Sequence, residues 1–163
     1  MINNNQSFAI EIKPDSIREL ERIVDLICDQ LFINDTYYGS ILMALTEVFD
    51  LLLKEQNSET FNVEYKTDYQ TLTISIYPID KSIIARFELP VNIDSLQETD
   101  GQTAMFLIKS LVDELIITED NVVQLNFDIS ALHDKIYKQR LSLLNNYFNV
   151  NQELKLSKNN DKL

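Results

Sequence analysis

Residues 61–76, FNVEYKTDYQTLTISI, decide the fold class of this chain. Apolar and polar residues alternate from Phe61 to Tyr65 and again from Leu72 to Ile76. This period of two is typical of strands that bury one face. Because Asp68-Tyr69-Gln70 between them has turn composition, the stretch predicts two strands joined by a tight turn.

Strand-like and helix-like periodicities extend along the chain on both sides of this stretch. Alternation from Phe8 to Ile12 predicts a strand, and apolar residues at three- and four-residue spacing predict helices at 16–32 and 36–56. Downstream, the patterns predict a strand at 83–89, a polar loop at 92–103, a helix at 102–114, strands at 115–118 and 122–129, and a helix at 130–148. The order is β-α-α-β-β-β-α-β-β followed by a helix. It predicts a two-layer α/β sandwich, with helices on one face of a mixed, mostly antiparallel sheet.

Three segments organise the chain. We expect one α/β domain at residues 1–129, a helix at 130–148 and a polar, frayed tail at 149–163. Apolar residues mark one side of the helix at 130–148. They allow it to pack on its own domain, to form a homodimer or to bind a partner.

Composition excludes several classes of function. The chain has 163 residues and a net charge of −12, so its surface repels phosphate backbones and we expect no nucleic-acid partner. No apolar run approaches the ~20 residues needed to span a bilayer, so we expect no membrane partner. Cys28 and His133 are the only residues of their types, so we expect no disulfide and no metal site. We expect a cytoplasmic protein that binds another protein.

Three stretches of this chain, in this order, resemble the GHKL ATPase superfamily. They are Ile41–Glu47, Leu72–Ile76 and Leu107–Leu115, and the resemblance covers about residues 7–129. Length and these stretches are most similar to the bacterial anti-sigma-factor serine kinases. The resemblance implies the histidine-kinase-like ATPase fold, ATP and magnesium as cofactors, and a sigma factor and an anti-sigma antagonist as protein partners.

The first family motif is E-x-x-x-N, in which Glu acts as general base and Asn binds Mg²⁺. Glu47 occupies the Glu position, but Leu51 occupies the Asn position. Leu51 would place an isobutyl group where the ion needs oxygen. Asp50 is a nearby carboxylate, but it lies one residue before the Asn position and therefore points about 100° away from it around the helix. Glu47 is therefore a candidate catalytic residue or a solvated charge.

The two glycine motifs are also altered. Pro78 stands where the adenine-binding Asp of D-x-G-x-G is expected, and Asp80 and Ser82 replace its glycines. Asp80 could accept a hydrogen bond from adenine only if the loop shifted by two residues; otherwise it is a turn residue. Gly101 precedes the predicted G-x-G position of the lid by one residue. It is a candidate for phosphate binding or for an ordinary turn.

Three hypotheses about function remain open at this point. The first is a non-catalytic or weakly nucleotide-binding regulator of anti-sigma or partner-switching type, with no cofactor. The second is an active ATP-dependent serine kinase that uses Glu47 as base and requires magnesium. The third is a domain that binds a small non-nucleotide ligand at the former ATP site, which Leu51 and Pro78 would make more apolar.

Overall fold

The computed structural model describes residues 6–31, 33, 35–68, 70–90, 100–130 and 141–150. The chain divides into two compact units, Met1–Ile129 and Ser130–Leu163. Within the described part of the first unit, five strands form one sheet in the order β1-β2-β3-β5-β4. Their bounds are Gln6–Glu11 for β1, Thr60–Thr67 for β2, Thr71–Tyr77 for β3, Glu114–Ile117 for β4 and Val123–Asp128 for β5. All four neighbouring pairs are antiparallel, which corrects the prediction of a mixed sheet.

Helices follow β1 and β3. A 3-10 turn at Pro14–Ser16 leads into α1, and the further helices of this unit are α2, α3 and α4. Their bounds are Ile17–Leu31 for α1, Asp35–Glu55 for α2, Lys81–Glu88 for α3 and Asp100–Leu111 for α4. The predicted helices at 16–32 and 36–56 are confirmed. Helix α2 contacts each of the other three helices.

The core lies on one face of the sheet. Every second residue of β2, β3 and β5 is buried, and the residues between them remain partly exposed. The buried strand residues are Phe61, Val63, Tyr65, Leu72, Ile74, Ile76, Val123, Leu125 and Phe127. They form one cluster with the buried side chains of the helices. Buried on one face and polar on the other, the sheet is compatible with a two-layer α/β sandwich.

The strand predicted at 83–89 is wrong, because Lys81–Glu88 forms helix α3. Asp80 precedes the helix with extended backbone, and its carbonyl oxygen accepts hydrogen bonds from the N–H groups of Ile83 and Ile84, each at 3.0 Å. In the helix, Ile83, Ile84 and Phe87 lie on one side and are buried. Strand β3 already pairs with β2 and β5, so no edge of β3 is open to this segment.

The remaining differences lie at α4 and at the carboxyl-terminal segment. Helix α4 begins at Asp100, two residues before the predicted start at 102, so residues 100 and 101 are helical although a loop was predicted there. Residues 92–99 of that loop lie outside the described residues. Residues 141–150 form a helix, here α5, which extends two residues beyond the predicted end at 148. Residues 131–140 of the helix predicted at 130–148 lie outside the described residues. So do the residues of the predicted tail from 151 onward.

The two predicted hairpin turns are both present. In the β4–β5 turn, Asn121 has a φ of 61°, a left-handed conformation that Asn adopts more readily than most residues. In the β2–β3 turn, the Oδ1 atom of Asp68 accepts hydrogen bonds from the N–H groups of Gln70 and Thr71, each at 2.7 Å. These bonds stabilise the charged carboxylate and lower the pKa of Asp68 below its ordinary value of 3.8.

The lowered pKa makes the β2–β3 turn sensitive to acid. The charge of Asp68 contributes stability that is fully present above pH 3.8 and is lost as the pH falls through the lower folded-state pKa. Asp68→Asn keeps an acceptor oxygen but removes the charge. We expect urea unfolding to show the wild type more stable at pH 7 and the difference to shrink below pH 3.8. Asp120→Asn, at an exposed position in the other turn, is the control for net charge. A difference independent of pH would contradict this account.

Candidate functional site

Helix α2 positions Glu47, Asp50 and Leu51, the residues of the first predicted motif. Residues four apart are about 40° apart around a helix axis, so Glu47 and Leu51 are neighbours on one side of α2. Leu51 is only 3% exposed and belongs to the core cluster. Glu47 is half-buried at the boundary between the core side and the polar side of the helix.

Burial is the main cause of the raised pKa of Glu47. It raises the pKa of this carboxyl above the ordinary value of 4.5, and the negative charge of Asp50 raises it further. The positive charge of Lys54 acts in the opposite direction. A carboxylate with a raised pKa holds a proton more tightly, which is useful in a general base.

The residues around Glu47 do not fit a magnesium ion. Leu51 supplies no oxygen at the position where the motif requires a ligand. Among the described residues there is no group of three or more His, Cys, Asp or Glu side chains that could hold a metal ion. We therefore derive no chemical step through a metal.

Asp80 lies between β3 and α3, where the resemblance places the adenine loop. Its Oδ2 atom accepts a hydrogen bond of 2.8 Å from the main-chain N–H of Asn57, just after the end of α2. Its carbonyl oxygen accepts from the first turn of α3. The side chain of Asp80 thus holds the end of one helix beside the start of another.

Gln56 makes a second set of hydrogen bonds at the same place. Its Nε2 atom donates to the carbonyl oxygen of Pro78 at 2.7 Å and to the hydroxyl of Ser58 at 2.9 Å. Its Oε1 atom accepts from the N–H of Asp80 at 2.9 Å. We call Gln56, Asn57, Pro78 and Asp80 the Gln56 latch, because together they fix the β3–α3 connection to the end of α2.

Two further contacts support the Gln56 latch. Arg86 of α3 forms an ion pair of 2.5 Å with Glu55, the last residue of α2. The carbonyl oxygen of Asn121, in the β4–β5 turn, accepts from the N–H of Ile79 at 3.1 Å. The predicted adenine loop is therefore held from both sides by protein groups. Sequence reasoning missed Gln56, whose only signal is its position directly after an apolar helix.

The structure places the predicted site residues on different parts of the fold. Glu47 is about 12 Å from Glu55 along the α2 axis, at a rise of 1.5 Å per residue, and the Gln56 latch lies beyond Glu55. Gly101 is the second residue of α4, so its backbone is helical and does not form a turn before the helix. The described part of the chain thus places Glu47, Asp80 and Gly101 on three separate elements.

An open groove of about 360 Å³ lies elsewhere, where α3 and α4 end beside β4. Its lining combines apolar and charged side chains: Phe87, Lys109, Val112, Asp113, Glu114, Leu115 and Ile117. Lys109 donates from Nζ to the carbonyl oxygen of Leu89 at 2.9 Å. Asp113 accepts from the N–H of Asp128 at 2.6 Å. Among the described side chains, neither Glu47 nor Asp80 lines this groove.

Comparisons with known proteins add no assignment. The chain matches no model of a known protein family, and no curated protein matches it in sequence. In the described part of the chain, no helix is both long enough and apolar enough to cross a membrane.

Removing the side chain of Gln56 tests the Gln56 latch. Gln56→Ala leaves the N–H of Asp80 and the carbonyl of Pro78 without their partners, so we expect a loss of about 1–3 kcal/mol in the free energy of unfolding. Asn57→Ala is the matched control, because Asn57 contributes its main-chain N–H to the latch. It should change stability by less than about 0.5 kcal/mol. Equal effects in chemical denaturation would contradict the assigned role of Gln56.

Leu51→Asn restores the E-x-x-x-N pattern and tests which role position 51 has. We expect a loss of about 3 kcal/mol or more, because a buried isobutyl group is removed and an amide is placed in the core. Met43→Asn, at a 48% exposed position of the same helix, controls for helix propensity and should cost less than about 1 kcal/mol. A Leu51→Asn variant that keeps its stability and gains magnesium-dependent nucleotide binding would contradict the core role.

Proposed function

We propose that this chain is a GHKL-like α/β domain whose nucleotide site has lost its chemistry, and that it acts as an anti-sigma or partner-switching regulator by binding another protein. The observation that carries the proposal is the hydrogen bond from Asn57 to the Asp80 carboxylate. Asp80 is the only carboxylate in the predicted adenine loop, Pro78–Ser82. The Asp80 carboxylate already serves as the acceptor that holds the end of α2, and its orientation is set by that main-chain donor.

The state of position 51 supports the same proposal. Leu51 is buried in the core at 3% exposure, so ligand chemistry there would require a polar atom in an apolar environment. Glu47 remains as a carboxylate, but position 51, where the motif requires the second oxygen ligand, is apolar. The two positions together favour a domain that keeps the architecture without the phosphoryl-transfer site.

Charge favours a protein partner over a nucleotide. The net charge of −12 repels the phosphates of ATP, whereas it attracts a basic protein surface and increases the rate of encounter with it. The partner class that the proposal names is a sigma factor or an anti-sigma antagonist. The place of action that it names is the cytoplasm, where both are found.

Calorimetric titration with ATP and ADP, with and without Mg²⁺, tests the loss of the nucleotide site. We expect no heat of binding and no thermal shift at millimolar nucleotide, because Leu51 offers no ligand oxygen and the Asp80 carboxylate is oriented by the N–H of Asn57. Micromolar magnesium-dependent binding would overturn the proposal.

Capture of partners from cells that express this chain tests the other half of the proposal. A sigma factor or its antagonist should be recovered equally with and without ATP. Quantitative mass spectrometry would measure both recovery and phosphorylation of the antagonist. Recovery that requires ATP, or an antagonist that becomes phosphorylated by the purified chain, would contradict a non-catalytic regulator.

A second candidate function is an ATP-dependent serine kinase, which the half-burial and raised pKa of Glu47 favour. In that case Glu47 accepts the proton of the substrate hydroxyl as general base. Phosphoryl transfer should then be lost in Glu47→Ala and retained in Glu59→Ala, which changes an exposed carboxylate outside α2. Retained transfer in Glu47→Ala would remove this candidate.

A further inference from the structure

Helix α5 presents an apolar surface that is out of keeping with the rest of this acidic chain. Its sequence, LSLLNNYFNV at 141–150, contains six apolar residues and no charged residue. All ten residues are exposed. The six apolar side chains have exposed fractions between 43% and 69%: Leu141, Leu143, Leu144, Tyr147, Phe148 and Val150.

The apolar and polar residues of α5 are fully segregated around the helix axis. At ~100° per residue, the six apolar side chains occupy one half of the circumference, which we call the α5 apolar face. The remaining residues, Ser142, Asn145, Asn146 and Asn149, occupy the opposite side. Near the middle of the helix, the rings of Tyr147 and Phe148 meet edge to face, with centroids 5.8 Å apart. An exposed apolar face of this size is unfavourable in water, and burial against a partner removes that cost.

We infer that the α5 apolar face is a homodimerisation surface, which pairs with the same face of a second copy of this chain. A two-fold interface places the same patch on both sides, so one apolar half-helix is complementary to another. Aromatic side chains bury about 150–250 Å² each and aliphatic ones somewhat less. Six half-exposed side chains therefore offer on the order of 500–600 Å² per copy. Two copies bury about 1,000–1,200 Å² in total, the lower end for specific interfaces.

The chemistry of α5 distinguishes a second copy from other occupants. Helices that lie on anionic membranes carry Lys or Arg on their polar face, whereas the polar side of α5 holds only Ser and Asn. A partner selected by charge would need charged residues in α5, and there are none. Two copies can bring this uncharged helix together without burying a charge.

The segment that contains α5 carries much less charge than the rest of the chain. Residues 1–129 contain 8 basic and 23 acidic residues, which gives a net charge of −15. Residues 130–163 contain 6 basic and 3 acidic residues, which gives a net charge of +3. Like-charged surfaces of −15 repel each other. Pairing through residues 130–163 brings together like charges much smaller than −15, and α5 itself carries none.

Sedimentation velocity of the full chain from about 1 to 200 μM tests this inference. We expect a monomer–dimer equilibrium with a dissociation constant of micromolar order, as for interfaces of this size. The double substitution Leu144→Gln, Tyr147→Gln, at the centre of the α5 apolar face, should weaken dimerisation at least tenfold. The matched double substitution Asn145→Gln, Asn149→Gln on the polar side should leave it unchanged. Circular dichroism verifies that each variant remains folded.

Oxidative cross-linking provides a second measurement that does not depend on loss of binding. Cys28 is buried, so a cysteine introduced in exposed α5 is the reactive thiol. Leu144→Cys should form disulfide-linked dimers, whereas Asn145→Cys should not.

A monomer at all concentrations, or equal cross-linking at both positions, would overturn the inference. So would a monomer that co-sediments with vesicles of phosphatidylserine and phosphatidylcholine, which would assign the face to lipid. These measurements use no nucleotide and no other protein, so their outcome is independent of the proposed function.

Discussion

Helix α2 has buried side chains over nearly half of its circumference, and covering them determines where the other helices of the first unit lie. Its buried residues are Ile41, Ala44, Leu45, Val48, Phe49, Leu51 and Leu52. One sheet face cannot cover so broad a surface, so α1, α3 and α4 each contact α2 as well. Phe49 makes the connection to the sheet, because its ring lies 5.9 Å from that of Phe61 in β2. Burial of apolar surface is the main favourable contribution to folding, and here it is concentrated on one helix.

The Gln56 latch follows from the same constraint. Where α2 ends, its last turn leaves main-chain groups without helical partners, and the chain must connect β3 to α3 close by. Gln56 and Asp80 satisfy groups on both sides, through the carbonyl of Pro78 and the N–H of Asn57. The polar groups at this end of the core are used for structure. The resemblance places the adenine loop at Pro78 and Asp80, so these positions would have to serve both the structure and a ligand.

The parts of the fold that were predicted correctly are those with long, regular periodicity. The β2–β3 hairpin, α1 and α2 each repeat one pattern over several residues, and the Asp68 turn has a composition with a direct physical role. Helix α3 was missed because a short apolar segment with Ile83, Ala85 and Phe87 alternates like a strand and also suits a helix. The feature that distinguishes the helix is the burial of Ile83, Ile84 and Phe87 on one side of it. The sequence singled out Glu47, Asp80 and Gly101 as candidate site residues but could not find Gln56, whose partners are 2 to 24 residues away.

Position 51 shows how packing of the core constrains one position of α2. A magnesium ligand four residues after Glu47 must lie about 40° from it around α2, and that direction points into the core. An oxygen there would have to be compensated by an ion or a hydrogen bond, whereas Leu51 contributes packing with no such requirement. Glu47, at the edge of the buried surface, retains its carboxylate at the cost of a raised pKa. The stability of α2 requires an apolar side chain at position 51, whereas the chemistry of E-x-x-x-N requires a polar one. In this chain the position is occupied by leucine, which packs in the core.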